Sequence, residues 1–487
     1  MKKTRLLALL LALVMVVALF AACGNTEPEQ TTEATTEATT EATTEATTEA
    51  TTEATTEATT EPADIDQGGR TVTIVSAFIG DITPKVGESA FHDEWQAVYD
   101  SIAADLNISF ELLSGPHDFS EALPLLMSGD VDELGDITQG KPLYWIPAAV
   151  QGYAAPLNTD EMVAMGLNVT DENAFFQPYT TAMNLNGTIY GVGWNGPYSV
   201  CEFGWAMFVN LDYLNQYGGV EDIFQVVRDM DWTWEKFLDL QEKCAQDTDG
   251  DGNIDIWGSG EHSYGQEIYT IPGGATVYYD EATGKYLSGL SRVETQEALQ
   301  FAQNYYNSGF CETTNGYGDI HKKFIAGEVA MQWGEQWNTA PGNYFDGADL
   351  NYGIIPIPKH ADAETYTNVL GGVKSMFLYK GNSEFAMNAV VLQKMGEAFT
   401  DTDKVWDTFL TENAAGNEES VEMVKDYIWG ANATTVTDYS WASWDELQQW
   451  YRNNVYFPIV TGNGTVAEVV AEQDTAFQRQ IDAIFGQ

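Results

Sequence analysis

Arg70-Thr71-Val72-Thr73-Ile74-Val75-Ser76-Ala77 is a β-branched run, and it predicts the first strand of the folded chain. Beyond it, His92 to Leu106 carries Trp95, Val98, Tyr99, Ile102 and Leu106 at helical spacing. Ile108-Ser109-Phe110-Glu111-Leu112-Leu113 predicts a second strand. Phe119 to Met127 predicts a helix closed by Ser128-Gly129-Asp130. Leu134-Gly135-Asp136-Ile137 predicts a third, short strand. Strand, helix, strand, helix, strand is the rhythm of an α/β parallel sheet with helices on both faces. Ligands of such sheets bind beyond the carboxyl ends of the strands, here the loops after Ala77 and after Ile137.

The mixed α/β pattern continues. Gly187 to Val192 predicts a hairpin or loop-strand. Leu211 to Tyr217, Trp234 to Ala245, Val293 to Gly309, Ile320 to Gly327, Glu384 to Ala398 and Val466 to Phe485 predict helices, with Thr233 as an N-cap. Tyr352 to Pro356 predicts a strand stopped by proline.

Of 487 residues, 73 are acidic and 21 basic, a net charge of -52. Such a surface repels phosphate backbones and anionic headgroups, which excludes a general nucleic-acid binder. The four cysteines exclude a disulfide scaffold. Before residue 65 the chain reads as address and tether. Lys2, Lys3 and Arg5 precede the apolar run Leu6 to Ala22, the layout of a secretory signal over residues 1–22. Leu19-Phe20-Ala21-Ala22-Cys23-Gly24-Asn25 resembles a bacterial lipoprotein processing site, with Cys23 as the lipidated residue. Phe20 stands where that pattern usually has Leu. Residues 31–62 repeat Thr-Thr-Glu-Ala seven times and end in Thr-Thr-Glu-Pro. With no large apolar residue and with Glu facing Glu at i,i+4, residues 23–64 read as a disordered, self-repelling tether.

Several segments of residues 68–487 together resemble a family. They are Leu126-Met127-Ser128-Gly129-Asp130, Asn186-Gly187-Thr188-Ile189-Tyr190-Gly191-Val192, Met207-Phe208-Val209-Asn210, Trp232-Thr233-Trp234-Glu235-Lys236-Phe237, Phe324 to Met331, and Gly353-Ile354-Ile355-Pro356-Ile357-Pro358. Their order is similar to that of family 1, maltose-binding-protein-like, extracellular solute-binding proteins of ABC sugar importers. The resemblance implies two α/β lobes joined at a hinge, closing over ligand at their interface. It assigns 65–199 with 374–410 to the first lobe and 200–373 with 411–487 to the second. Chain crossings fall near Tyr198 to Glu202 and near Gly371 to Val373. It further implies a monomeric, non-catalytic lipoprotein on the outer face of a bacterial cytoplasmic membrane, passing a carbohydrate to permease subunits.

A sugar pocket needs rings for the weakly apolar faces and amides or carboxylates for the hydroxyls. The chain has 14 Trp and 24 Tyr. Trp337 matches, by resemblance, a Trp that stacks on sugar six residues after the family's Met. Trp333 and Glu335 flank it. Trp194 precedes the first crossing, Glu202 lies in it, and Phe78 follows the first strand. Gly371-Gly372 at the second crossing allows close backbone approach, hinge freedom or an ordinary turn. Trp441 and Trp444 read as packing aromatics, and Asp136 as an anchor of its own loop.

Asp247-Thr248-Asp249-Gly250-Asp251-Gly252-Asn253-Ile254-Asp255 has the start of a calcium loop. Asp247, Asp249, Asp251 and Asp255 stand at places 1, 3, 5 and 9, Gly252 at 6, and Asn253 offers a carbonyl at 7. The glutamate of place 12 is replaced by Gly258, and Glu261 or Glu267 is available instead. The expectation is a structural Ca2+. Gly191 to Gly196 spells G-x-G-x-x-G but opens no helix, and neither a G-x-S-x-G turn nor an H-E-x-x-H pair occurs. Two other readings use the same residues. One is a solute binder for a peptide or polyamine. The other is a surface glycan-binding protein or glycoside hydrolase, which needs two carboxylates about 5–10 Å apart.

Overall fold

β1 (Arg70–Ser76) starts the first sheet, in a computed structural model that describes residues 66–487 except 88–89, 194–202, 261–274, 314–316, 341, 400 and 487. Cys23, the tether, Trp194, Glu202, Cys201, Glu261, Glu267 and the first crossing therefore lie outside the described residues. α1 (Ala90–Leu106) leads to β2 (Ile108–Ser114), and α2 (Phe119–Ser128) leads to β3 (Ile137–Gly140). β2 runs parallel to β1 from Arg70↔Ile108 to Ser76↔Ser114, and β3 runs parallel to it on the other side at Ile74↔Ile137. α3 (Pro142–Val150) follows directly.

The third strand begins later than the sequence predicts. Val131–Leu134 is a single helical turn, and the chain turns at Gly135, whose φ of 87° suits glycine. The Asp136 N–H then donates to the Thr73 carbonyl at 2.9 Å. The Asp136 carboxylate accepts from the Thr73 N–H at 2.8 Å and pairs with Arg70 at 3.2 Å. Asp136 thus anchors its own loop, as expected.

The second sheet is built from β4 (Ala206–Asn210), β5 (Ser259–Gly260), β6 (Cys311–Glu312), β7 (Met331–Gly334) and β8 (Tyr352–Ile355), in the order β6-β5-β7-β4-β8. β7 lies antiparallel to β4 with Trp333 opposite Met207. Helix α4 (Trp234–Cys244) precedes β5, and α5 (Tyr317–Ile325) leads to β7. The Thr233 hydroxyl caps α4 by accepting the Lys236 N–H at 3.4 Å. β9 (Tyr366–Leu370) leaves this region and pairs in parallel with β11 (Ala433–Thr437). Between them, β10 (Ser375–Phe377) joins β3 antiparallel and completes the first sheet, ordered β10-β3-β1-β2; α6 (Phe385–Glu397) follows it. Residues 371–374 therefore carry the chain from the β9–β11 ribbon into the first sheet. The last helix, α7 (Val466–Phe485), matches its sequence limits and opens with a reciprocal Thr465–Glu468 cap.

Two apolar clusters hold these layers. One packs Val72 and Ile74 of β1 against Trp95, Tyr99 and Ile102 of α1 and Val391 and Met395 of α6. The larger centres on the second sheet, with Met207, Phe208, Phe237, Tyr305, Met331 and Ile354, and extends to α7. Burial of such side chains contributes roughly 1.5–3 kcal/mol each. Cys244 and Cys311 are both buried, and burial pushes the Cys244 pKa up to about 12.

Candidate functional site

The loops singled out by strand polarity face one cavity. β1 delivers Phe78 and Asp81, and β3 delivers Lys141 at its carboxyl end. The short link before β10 delivers Lys374. From the second sheet, Trp205 precedes β4, while Glu335, Trp337 and Asn343 follow β7. Trp441 comes from the turn after β11. Together they enclose about 390 Å3 between the edges of the two sheets.

Local structure fixes the aromatic wall. β7 ends at Gly334, and Gln336–Asn338 form one tight helical turn that carries Trp337. The Trp337 indole N–H donates to the Glu335 carboxylate at 2.7 Å, which orients the ring, and Tyr344 packs against it at 5.7 Å between centroids. Trp441 forms another part of the wall, with Trp444 5.4 Å behind it.

The charged groups are arranged around Phe78. Lys374 Nζ pairs with Asp81 at 2.7 Å. Lys141 Nζ lies 4.9 Å and Lys374 Nζ 5.4 Å from the Phe78 ring centre, and Lys141 also sits 5.8 Å from Trp441. These are cation–π distances. The Tyr179 hydroxyl donates to the Lys374 carbonyl and fixes that backbone. Two ammonium groups and two carboxylates thus share the described lining, so the wall supplies donors and acceptors without excess charge of either sign.

Gly371 and Gly372 are required by close approach. A Cβ on Gly371 would stand 2.5 Å from the Trp441 indole nitrogen. A Cβ on Gly372 would stand 2.7 Å from Glu335 Oε1. The glycine pair lets the link between the ribbon and the first sheet pass directly beneath two site side chains.

Four sequence candidates, Phe78, Glu335, Trp337 and Gly372, meet here. Trp333 does not join them. It is 2 % exposed and packs between Phe237 and Tyr305, both 6.4 Å from its ring, because alternation along β7 turns it into the core. Trp441 reverses its expectation: it is buried on the cavity wall rather than packed at the surface. Sequence reasoning missed Asp81, Lys141 and Lys374. The first two lie in the loops that strand polarity indicates, so the signal was present; no periodicity marks Trp441. A larger cavity of about 540 Å3 lies elsewhere, lined by Tyr278, Tyr279, Arg292, Trp429 and Tyr439, and receives none of the candidates.

The acidic loop after α4 is a separate, exposed feature. Asp247, Asp249 and Asp255 each bring a carboxylate oxygen within 4.8 Å of the others. Calcium–oxygen distances of about 2.3–2.6 Å match that spread. Gly252, at place 6, has φ 91°. The Asp247 carboxylate accepts from the N–H groups of Gly250 and Gly252, which curls the loop. Hydrogen bonds from the Thr248 hydroxyl and N–H hold the Asp255 carboxyl below its usual range. Asp251 departs from the pattern: it accepts from Asn253 and lies outside the three-carboxylate group. At place 12, a Cβ on Gly258 would stand 1.8 Å from the Gln241 carbonyl, so no glutamate fits there.

No protein-family model matches the sequence, and no curated protein matches it. Solved structures do. The ABC substrate-binding protein Lmo0181 from Listeria monocytogenes, in complex with cycloalternan, is 13 % identical with TM-score 0.58, covering 86 % of this chain and 99 % of its own. The sugar-binding protein MalE from Xanthomonas citri is 16 % identical with TM-score 0.58, over 85 % and 97 %. UgpB from Mycobacterium tuberculosis, in complex with glycerophosphocholine, is 15 % identical with TM-score 0.56, over 85 % and 98 %. The folded chain has the two-lobed α/β architecture of the ABC substrate-binding proteins.

Proposed function

We propose that the protein captures an extracellular carbohydrate and delivers it, by hinge closure, to the permease of an ABC importer, without chemistry of its own. The carrying observation is the cavity at the strand ends. It combines Trp337 and Trp441 with a balanced set of Lys141, Lys374, Asp81 and Glu335. Rings cover the apolar faces of a pyranose, and alternating charged donors and acceptors satisfy its hydroxyls. A polyamine would need a carboxylate excess to offset its charge, which the lining lacks among the described residues. The sugar reading also accords with the cycloalternan complex and the sugar-binding protein among the similar structures.

Cys23 is the lipid attachment point in this reading, and the Thr-Thr-Glu-Ala repeats hold the binding unit away from the outer face of the membrane. Asp247, Asp249 and Asp255, with the Asn253 carbonyl, hold a structural Ca2+ that cross-links the exposed loop after α4. The metal has no part in ligand capture.

A second reading, a phosphodiester ligand, draws on Lys141 and Lys374 converging on one ring and on the glycerophosphocholine complex of UgpB. Isothermal calorimetry separates them. Cycloalternan and linear maltodextrins are titrated against glycerophosphocholine, with chromatography of each mixture afterwards. Heat with intact oligosaccharide supports the proposal. Heat with glycerophosphocholine alone replaces it, and shortened glycan replaces a receptor with a hydrolase.

A further inference from the structure

Behind Glu335 and Trp337 lies a buried polar chain that the cavity itself does not display. His321, on α5, has 0 % exposure, as do Gln332 and Asn338. His321 Nδ1 is 2.9 Å from Gln332 Oε1, and His321 Nε2 is 3.3 Å from Asn338 Nδ2. Asn338 Oδ1 in turn lies 2.7 Å from the backbone nitrogen of Glu335.

One donor in this chain is beyond ambiguity. A backbone N–H can only donate, so the Asn338 atom facing Glu335 is the carbonyl oxygen. The other end of that amide, facing His321, is therefore the NH2 group, which also only donates. His321 Nε2 must then accept, and its single ring proton must sit on Nδ1. That N–H donates to Gln332, whose facing atom is consequently its oxygen. Burial agrees with a neutral ring, since it pushes the His321 pKa down to about 4. Tyr344 and Phe345 close the ring's apolar sides, at centroid distances of 5.0 and 5.9 Å. Tyr344 is also the ring packed on Trp337.

We propose that His321, held as the neutral Nδ1–H tautomer, is a positioning residue of the ligand pocket: through Asn338 it fixes the Glu335 backbone and hence the Glu335–Trp337 pair. The functional half of this inference rests on the sugar-capture reading; the tautomer and the placement of Trp337 do not.

The test uses the whole protein labelled with 15N in histidine and tryptophan. The His321 ring signals are assigned by their loss in His321→Gln, and the Trp337 indole signal by its loss in Trp337→Phe. At neutral pH without ligand, His321 is expected as Nδ1–H. Asn338→Ala removes the acceptor for the Glu335 N–H and should move the Trp337 indole signal. Asn338→Asp keeps that acceptor and should leave the signal in place, while drawing a proton onto His321 Nε2. In oligosaccharide titrations, Asn338→Ala should weaken binding about tenfold or more and Asn338→Asp less than about threefold. An Nε2–H ring in the unmodified protein, or an unmoved Trp337 signal in folded Asn338→Ala, overturns the inference. If both signals behave as expected and no glycan binds, the sugar reading fails and the positioning chain stands.

Discussion

Trp337 and Trp333 sit four residues apart, and their side chains have opposite tasks. Trp337 faces the cavity with its indole N–H tied to Glu335, whereas Trp333 fills the space between Phe237 and Tyr305. Trp337→Ala should therefore leave the melting temperature nearly unchanged and cost about 2 kcal/mol of binding, roughly thirtyfold in Kd. Trp333→Ala should instead cost about 3–5 kcal/mol of stability. Calorimetry and thermal unfolding of the two variants, run side by side, would contradict the assignment if the effects were exchanged. Gly372→Ala puts a methyl 2.7 Å from Glu335 Oε1 and should displace that carboxylate, so titration of the variant should show weaker binding in a folded protein. His321 makes a pH prediction. Its folded pKa of about 4 lies below the ordinary 6.5, so between those values the unfolded chain binds the proton and the folded chain does not. Stability from the neutral ring is complete above about pH 6.5 and falls by about 3 kcal/mol as pH drops to about 4. The unfolding free energy of the wild type minus that of His321→Gln should trace this loss; a flat difference would contradict it. At this scale the sequence pointed to Phe78, Glu335 and Trp337, which line one cavity, because they stand at strand ends or in a motif. Strand polarity marked the loop that holds Lys141 but not the residue, and nothing marked Lys374, since a lysine in sequence has no feature that distinguishes a solvated surface position from a ring-stacked one.

The elements were more legible than the side chains. Periodicity placed α1, α4, α6 and α7 within a few residues, because each buries a continuous stripe on a sheet or cluster. It misplaced the start of β3, where the helical turn through Leu134, the positive φ of Gly135 and the pairing of Asp136 with Thr73 and Arg70 delay the strand until Ile137. It passed over the parallel ribbon of β9 and β11. Their pairing joins residues from Tyr366↔Ala433 to Leu370↔Thr437, a separation across which local pattern carries no information. The loop after α4 makes the element-scale prediction. Calcium should raise the melting temperature of the protein, in proportion to RT ln(1 + [Ca2+]/Kd). Asp247→Asn combined with Asp249→Asn should abolish that rise and leave oligosaccharide affinity unchanged. A rise that survives the double substitution would remove the metal from this loop.

For the whole molecule, the landmark order along residues 68–487 already pointed to two lobes, and the similar solved structures share that architecture over nearly their entire length. The net charge of -52 makes the local balance of the cavity informative. In a chain with 21 basic residues, two of them, Lys141 and Lys374, meet at one aromatic ring. A ligand recognised there has to be polar on its edges and tolerant of rings on its faces, which is the chemistry of a neutral sugar. The charge of the surface is screened over about 8 Å at physiological salt, so affinity for a neutral ligand should change little between low and high salt. A steep salt dependence would instead point to an anion held by the two lysines. The central claim is capture without conversion. Its most direct measurement is calorimetry of the protein against a panel of neutral oligosaccharides, followed by chromatography of the same samples. The account predicts saturable binding to at least one glycan, lost in Trp337→Ala, with that glycan recovered intact. Recovery of shortened glycan, or binding that Trp337→Ala leaves unchanged, would contradict it.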